Sequence, residues 1–426
     1  MAVYEEMSIL VGREEHIGIV GAGISGLSLA HELELRGYRS VTVMEQADRV
    51  GGKCCSIEYK GRTYEMGALI GLPSYKMTME YMERFDLLEK GPLLDRGFFH
   101  PQGSRISQIP LEQMSDFTRE FKRLPALMRR YESVREPGFK QVPLELCKPF
   151  SVWCDENELT VLRQVFMHYF CAFGFGNIDD VPTVYVMKLL NYDNLMSFIE
   201  ITHMISWPSG VTELPRRMAD RVSDLRLTCE VQRIYQENTG RVRVETNQGP
   251  LYFDKVIYTA PLQDFAHKIE LVQDEEELFK NIIDERFRVY AYRVDNIPKL
   301  SGYIPGNMGI ASRGNMMAWY YRWADLAQTD LITVYVAEND HMSDAEIREN
   351  IESTLAALGG ENIRLYMMKR WNHFPHVDTA ALESGFYERL ENLQGKNGIY
   401  FAGEIMNFPT LENCIRYAKA LVNRYF

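Results

Sequence analysis

Residues 16–33, HIGIVGAGISGLSLAHEL, decide the fold of this chain. A short apolar run of strand character comes first, and Gly21, Gly23 and Gly26 follow it at the GxGxxG spacing. The first glycine allows a tight turn, the second lets backbone approach a pyrophosphate, and the third lets the next helix lie close to the strand. The segment therefore predicts a strand, a turn and a helix whose free N–H groups face the phosphates of a dinucleotide.

An acidic residue follows where the ribose of a dinucleotide is expected. Residues 40–44 are predicted as a second strand, and Glu45 comes directly after it, nineteen residues past Gly26. A carboxylate at this point accepts hydrogen bonds from both ribose hydroxyls of adenosine and excludes a 2′-phosphate. Strand, helix and acid in this order predict a Rossmann-type dinucleotide site rather than an ordinary glycine-rich turn.

Two downstream segments bear on which dinucleotide is bound. Residues 48–53, DRVGGK, give a second close approach of backbone to the pyrophosphate, and Lys53 adds a cation beside it. The alternative is a surface turn with a solvated lysine. Residues 61–71, GRTYEMGALIG, carry small side chains that let the chain pass along a flat ring. The far end, residues 397–422, contains FAGE and a predicted helix. Together these segments favour one FAD site assembled from both ends of the chain.

The order of these segments resembles that of the flavin amine oxidase superfamily. Residues 229–262 resemble the family's strand, hairpin and return strand, and residues 207–218 resemble its mid-chain glycine-rich segment. The resemblance implies that Val231 holds the adenine through its backbone and that Glu404 contacts the ribityl or pyrophosphate part. It also implies that the helix beginning near Leu411 points at the flavin, where its positive end favours hydride acceptance.

The motifs and the resemblance together give a set of candidate FAD-contacting residues, and nothing in the sequence signals a covalent attachment. The candidates are Gly21, Gly23, Ser25, Gly26, Glu45, Gln46, Gly52, Lys53, Gly67, Ala68, Leu69, Val231, Ala260, Gly403, Glu404 and Leu411.

A closer resemblance is to the flavin-dependent polyunsaturated fatty acid double-bond isomerases, of the kind that make conjugated linoleic acid. It is carried by GGKCCS, YEMGALIGLPSY, FCAFGFGNIDDVPTVYVMKLL, SGYIPGNM, YYRWAD and FAGEIMNF. It implies that the partner is a long-chain unsaturated fatty acid. A hydride would leave its bis-allylic carbon for flavin N5 and return to another carbon, which leaves the double bonds conjugated.

Three residues are candidates for contact with that substrate. The guanidinium of Arg96 can bind a carboxylate bidentately, although a surface pair with Asp95 is the alternative. The resemblance favours the carboxylate, and it aligns Phe198 with an aromatic side chain that closes over the acyl chain. Arg322, in YYRWAD, is a second candidate cation.

Other functions remain open at the level of sequence. An amine oxidase of the same superfamily usually has a lysine that holds a water near flavin N5, and Lys369 lies late enough in the chain for that role. A strand-edge lysine is the alternative. A desaturase and a flavin-binding protein without turnover are further alternatives.

Composition excludes several classes of protein. The chain has 426 residues and a net charge of −12, and it has no basic stripe that could neutralise nucleic-acid phosphates. No apolar run reaches about eighteen residues, and residues 1–16 lack the pattern of a secretion signal. The seven cysteines are scattered, so we expect reduced thiols in a cytoplasmic protein. The spacing of His373 and His376 is not supported by further ligands, and no metal is expected. The sequence does not indicate an oligomeric state.

The positions of the motifs predict the domain organisation of an α/β protein. A Rossmann-type FAD-binding domain would take residues 1–90, 205–265 and 390–426. Helical periodicity in residues 91–204 predicts a helical cap, and strand-like runs in residues 266–389 predict a mixed α+β substrate-binding domain with an antiparallel sheet.

Overall fold

The structure, a computed structural model, describes residues 13–89, 91–92, 95–200, 204–269, 273–323 and 329–426. Of residues 1–16, which lack the pattern of a secretion signal, residues 1–12 lie outside these ranges. None of the helices in the described ranges combines the length and hydropathy that a membrane crossing needs.

Seventeen strands are present in the described part of the chain. They are β1 Arg13–Val20, β2 Tyr38–Met44, β3 Ser56–Tyr59, β4 Arg62–Glu65, β5 Arg96–Phe99, β6 Arg105–Ile106, β7 Asp224–Arg226, β8 Val231–Gln236, β9 Val242–Thr246, β10 Gly249–Phe253, β11 Lys255–Tyr258, β12 Ile283–Asp295, β13 Ser301–Tyr303, β14 Ala318–Tyr320, β15 Leu331–Ala337, β16 Glu361–His376 and β17 Ile399–Phe401.

Fifteen α-helices accompany these strands in the same described ranges. They are α1 Ile24–Leu35, α2 Lys76–Arg84, α3 Met114–Arg129, α4 Leu144–Cys147, α5 Phe150–Glu156, α6 Thr160–Ala172, α7 Thr183–Leu189, α8 Tyr192–Ile199, α9 Glu213–Ala219, α10 Leu262–Phe265, α11 Gln273–Lys280, α12 Asp344–Ala357, α13 Thr379–Glu383, α14 Phe386–Glu391 and α15 Leu411–Tyr425.

A parallel sheet of five strands forms the base of the molecule, in the order β17-β11-β1-β2-β7. Parallel sheets are covered on both faces, which requires near-continuous apolar strands. β1 meets this requirement because Ile17 and Ile19 are fully buried, and Val43 of β2 is buried beside them. α1 ends at Leu35, and Gly37 follows with φ of +85°. The predicted strand–turn–helix–strand unit of a Rossmann-type fold is confirmed.

A small antiparallel sheet of β8, β9 and β10 follows the order strand, hairpin and return strand expected for residues 229–262. β10 packs on β1, because a Cβ placed on Gly18 would lie 2.8 Å from the ring of Phe253. The chain continues from β10 into β11, which pairs with β1 at the centre of the parallel sheet.

A seven-stranded sheet stands above this base, in the order β16-β12-β15-β14-β13-β5-β6. Its pairs are antiparallel except for β13 with β5. Strands β12 to β16 lie in the predicted substrate-binding segment 266–389. However, β5 and β6 fall within the predicted cap, residues 91–204. The pairing of Ser301 with Arg96 is long-range, so local periodicity could not reveal it. We therefore propose that the cap begins after β6.

The helices α3 to α8 form the cap. α3 turns Leu124 and Met128 inward, as its helical spacing of apolar residues predicts. Its buried Glu120 accepts hydrogen bonds from the first backbone N–H groups of α6, at Val161 and Leu162. This carboxylate joins the two longest cap helices, because it satisfies helix N-terminal donors that would otherwise lack partners.

Candidate cofactor and substrate site

A cavity of about 530 Å³ lies where the carboxyl ends of β1, β2 and β11 meet residues from the cap and from the seven-stranded sheet. Ligands of open α/β sheets bind outside the carboxyl ends of the strands. The cavity wall includes residues from the β1–α1 turn, from β16 and from the start of α15. Segments from both ends of the chain therefore build one site.

The three glycines of the β1–α1 turn differ in what surrounds them. Gly21 has φ of +103°, which side chains rarely adopt. A Cβ on Gly26 would lie 2.0 Å from the carbonyl oxygen of Gly21, so this glycine lets α1 lie against β1. A Cβ on Gly23 would meet no atom within 4 Å, and Gly23 lines the cavity. The space beside Gly23 is open to a ligand.

The carboxylate of Glu45 is held at the end of β2 by backbone donors. Its Oε2 accepts from the N–H of Ala22 at 2.8 Å, and its Oε1 accepts from the N–H of Ala47 at 2.8 Å. Glu45 and the adjacent Gln46 both line the cavity. The backbone thus fixes an acceptor on the wall before any ligand binds.

An ion pair joins the two terminal segments across the cavity. Lys53 Nζ lies 2.6 Å from Glu404 Oε2, and both side chains are partly exposed and line the wall. The carbonyl of Lys53 accepts from the N–H of Ala68 at 2.9 Å. A Cβ on Gly67 would lie 2.0 Å from that carbonyl oxygen, so only glycine permits this approach.

The start of α15 forms part of the cavity wall. Thr410 caps the helix by accepting from the N–H of Asn413 at 3.2 Å. Thr410, Leu411 and Cys414 line the wall. A helix N-terminus carries a partial positive charge, which favours electron-rich groups beside it.

Fourteen of the sixteen candidate cofactor residues line this cavity, and the other two are Gly26 and Gly403. Gly403 has φ of +107°, and a Cβ there would lie 2.8 Å from the carbonyl oxygen of Thr259. Gly26 and Gly403 therefore shape the backbone around the cavity rather than its surface.

One end of the cavity is apolar and aromatic. Phe173, Phe175 and Leu189 come from the cap, and Tyr335 and Trp371 come from the seven-stranded sheet. The indole N–H of Trp371 donates to the carbonyl of Met66 at 2.7 Å, which fixes the ring. The motif FCAFGFGNIDDVPTVYVMKLL contains Phe173, Phe175 and Leu189, but the sequence did not single out any of these five residues as part of the wall. The alternation of β16 could have revealed Trp371 and His373, two residues apart on one strand.

His373 and Asp284 are among the titratable groups of the wall whose pKa values are shifted by burial. Burial lowers the pKa of His373 to about 4, so its imidazole is neutral at pH 7. Burial raises the pKa of Asp284 to about 6, with Lys53 acting in the opposite direction. Gln263 donates to the Asp284 carboxylate at 2.8 Å.

Arg96 lies in a side branch of about 40 Å³ that shares Leu69 and Ile70 with the main cavity. Its Nη2 donates to the carbonyl of Ile199 at 2.7 Å, and its Nη1 donates to the hydroxyl of Tyr169. The Tyr169 hydroxyl in turn donates to the carbonyl of Phe198.

The ring of Phe198 stacks on that of Tyr169, with centroids 4.1 Å apart. Phe198 is fully buried and does not line the main cavity. The structure thus brings Arg96 and Phe198 into one cluster, with Tyr169 as the connection that sequence analysis missed.

The sequence pattern of the family described as flavin containing amine oxidoreductase matches residues 24–420. The chain belongs to this family. Its fold is the α/β fold of these flavoproteins, as predicted.

Several known proteins and solved structures are similar to this chain, and one of them is an isomerase. The solved structure of a CLA-producing fatty acid isomerase from P. acnes superposes with a TM-score of 0.93. It is 31% identical, and the match covers 98% of this chain and 100% of that chain. The FAD-dependent oxidoreductase oblC of Cochliobolus heterostrophus is 23% identical over 90% of this chain and 85% of its own length. The tryptophan 2-monooxygenase of Agrobacterium vitis is 25% identical over 58% of this chain and 38% of its own.

The cofactor of this family member is FAD, and the cavity has the features that a dinucleotide requires. The open space beside Gly23 suits a pyrophosphate, and the backbone-held carboxylate of Glu45 suits a ribose. Val231 and Lys268 close one end of the wall, where Lys268 Nζ donates to the carbonyl of Val231 at 2.7 Å. We propose that the adenine binds there and that the flavin ring lies at the aromatic end.

Arg322 lies elsewhere than the sequence suggested. Its Nη1 is 3.3 Å from Glu65 Oε1, both side chains are buried, and its Nη2 donates to the carbonyl of Trp207. Arg322 lines neither the main cavity nor the side branch. The buried carboxylate of Glu65 holds this guanidinium away from the cavity, so we do not propose Arg322 as a second substrate cation.

Lys369 lies on β16 opposite Val289 and is partly buried. Val289 and Trp371 line the cavity, but Lys369 is not among the lining residues. The lysine therefore stands next to the flavin cavity without reaching its surface.

Neither the cysteines nor the histidines form a metal site in the described residues. No group of three or more His, Cys, Asp or Glu side chains converges there. All seven cysteines are buried and unpaired. The ring of His376 instead shares a hydrogen bond of 2.9 Å with the carbonyl of Phe374.

Proposed function

We propose that this protein is an FAD-dependent isomerase that moves a double bond of a polyunsaturated fatty acid to give a conjugated product. The observation that carries the proposal is the whole-chain likeness to a fatty acid isomerase at 31% identity. The apolar, aromatic end of the cavity supports it, because long acyl chains bind in such surroundings.

The side branch at Arg96 supplies the polar end of the proposed substrate site. A carboxylate reaching it past Leu69 and Ile70 would meet the Arg96 guanidinium, which can bind it with two hydrogen bonds. The stacked rings of Tyr169 and Phe198 hold that guanidinium in place. We infer that Phe198 acts through Tyr169, as a positioning residue behind the arginine.

The chain's own groups orient the substrate and exclude water. Bound FAD supplies an acceptor and donor of hydride. Phe173, Leu189 and Tyr335 would surround the reacting carbons with apolar atoms. Because the pKa of His373 is lowered to about 4, its imidazole is a weak proton acceptor and carries no positive charge at pH 7.

Anaerobic incubation of the purified FAD-loaded protein with linoleate tests the proposal. We expect the ultraviolet absorption of a conjugated diene to rise while the visible spectrum of oxidised flavin persists. Oleate, which has no bis-allylic carbon, is the control and should give no change. Loss of the flavin absorption with an amine, followed by peroxide on admission of air, would instead establish an amine oxidase.

A further inference from the structure

A second cavity of about 360 Å³ lies beside the flavin cavity, between the cap and α15. Tyr75, Leu189 and Thr410 line both cavities and therefore form part of the wall between them. We call the second one the cationic cavity, because five lysine and arginine side chains line it. They are Lys76, Arg129, Arg135, Lys188 and Arg416.

The lysine and arginine side chains of the cationic cavity outnumber its carboxylates. Only three carboxylates, those of Glu132, Asp193 and Glu412, lie among its lining residues. The Glu412 oxygens accept from the N–H groups of Met77 and Thr78, at 3.2 and 2.9 Å, and thereby hold the start of α2. Within the described ranges, none of the five cations has a carboxylate oxygen within 4 Å. Cationic side chains thus predominate at this cavity, although the chain as a whole has a net charge of −12.

Several polar groups of this cavity are buried without partners. Arg135 Nε, a donor, and Asn194 Oδ1, an acceptor, have no hydrogen-bond partner in the described structure, and Asn194 is 1% exposed. Only the Arg135 donor can serve an anion, and an unsatisfied buried donor commonly marks the place of a ligand, ion or water. Asn194 anchors its amide through Nδ2, which donates to the carbonyl of Leu189 at 2.8 Å.

Lys188 reaches into the same region from α7. Its Nζ donates to the carbonyls of Glu136 and Gly138, at 2.7 and 2.5 Å, and lies 4.6 Å above the ring of Phe139. Burial and the charge of Arg416 lower the pKa of Lys188 well below its usual range. An anion in the cavity would favour the charged form of this ammonium group.

We propose that the cationic cavity binds a carboxylate or phosphate group, as an anion site separate from Arg96. An anion there would accept from Arg135 Nε and offset the charges of Arg129 and Arg416. The ligand is a free anion or the head group of an amphiphile whose chain passes Leu189 towards the flavin. Anion binding here does not depend on the proposed isomerisation, so either can fail without the other.

Calorimetric titration of the FAD-loaded protein tests this site with octanoate, octyl phosphate, acetate and inorganic phosphate as probes. Titrations use the Arg96→Gln background, which removes the other candidate anchor. We expect at least one octyl probe to bind there, and Arg416→Gln to weaken its binding at least tenfold. Lys419→Gln, which removes an exposed cation from the same helix outside the cavity, should leave the affinity unchanged.

Arg129→Gln provides a second variant at the exposed end of α3, in case Arg416→Gln does not fold. Equal affinity of the octyl and short probes would support the site with a free anion as its ligand. Tighter binding of the octyl probes would support it with an amphiphile. Absence of binding for all four probes would overturn the proposal, and so would unchanged affinity in the folded Arg416→Gln and Arg129→Gln variants.

Discussion

Single residues in this protein are assigned to roles by what their polar atoms contact. Arg96 and Arg322 are both arginines with aromatic neighbours, and sequence alone could not separate them. The carboxylate of Glu65 lies 3.3 Å from Arg322, whereas Arg96 contacts only a hydroxyl and a backbone carbonyl through its guanidinium. Of these two arginines, Arg96 is the one without a carboxylate partner for its guanidinium among the described residues, and its side branch adjoins the flavin cavity.

We expect Arg96→Ala to impair turnover of free fatty acids far more than that of their methyl esters. Losing a partly desolvated, charge-assisted contact costs about 2 to 4 kcal/mol, or about 30- to 1000-fold in kcat/KM. Steady-state kinetics on acid and ester measures the ratio. Arg348→Ala, which removes an exposed arginine from α12, is the control. Equal losses on acid and ester would show that Arg96 only supports the fold.

The buried carboxyl of Asp284 should make stability depend on pH. Because the pKa of this group is raised to about 6 in the folded protein, its stabilising contribution is present below pH 4 and is lost as pH rises through 6. In the Asp284→Asn variant this side chain cannot ionise, so this loss of stability does not occur. Above pH 6 the variant should be more stable by about 1 to 2 kcal/mol, allowing for partial exposure.

Denaturant unfolding of the FAD-loaded protein between pH 4 and 8 measures this difference. Asp48→Asn, at an exposed position near the same cavity, is the control and should follow the wild type. A constant difference between Asp284→Asn and the wild type across this range would contradict the prediction.

Among the secondary-structure elements, the sequence reveals those that local patterns determine but not the contacts between distant segments. The β1–α1 turn was predictable because its glycines act within ten residues of one another. The antiparallel strands of residues 266–389 were predictable from their runs of β-branched and aromatic residues. The pairing of β5 with β13 and the ion pair of Lys53 with Glu404 join distant segments. The motifs predicted that these two residues share a site, but only folding shows that they touch.

The Lys53–Glu404 pair should couple the two terminal segments. In a double-mutant cycle of Lys53→Met and Glu404→Gln, we expect a coupling energy of about 1 kcal/mol in the free energy of unfolding, since both side chains are partly exposed. Chemical unfolding of the FAD-free protein measures it without the cofactor.

The pair Lys148 and Glu156, also 2.6 Å apart but more exposed, provides the matched cycle and should couple less. Zero coupling between Lys53 and Glu404 would mean that water screens this pair fully.

For the whole molecule, the cap and the two sheets together determine how well the reacting carbons are shielded from water. Cap residues such as Phe173 and sheet residues such as Tyr335 meet around one cavity. No single segment encloses it, so local sequence patterns could not identify these side chains as parts of one wall. The enclosure formed by these layers is what the proposed reaction requires.

The fate of one hydrogen tests that enclosure. If the hydrogen removed from the bis-allylic carbon returns to the same substrate molecule, linoleate deuterated at that carbon should retain the label at a new position. The physical reason is that Phe173, Leu189 and Tyr335 would exclude water, and that His373, with its pKa lowered to about 4, is a weak proton acceptor. Mass spectrometry of the product measures retention, and unlabelled substrate in D₂O is the control, which should gain little deuterium. Full incorporation of solvent deuterium at the newly saturated carbon would establish proton transfer through water instead, even if the product is a conjugated diene.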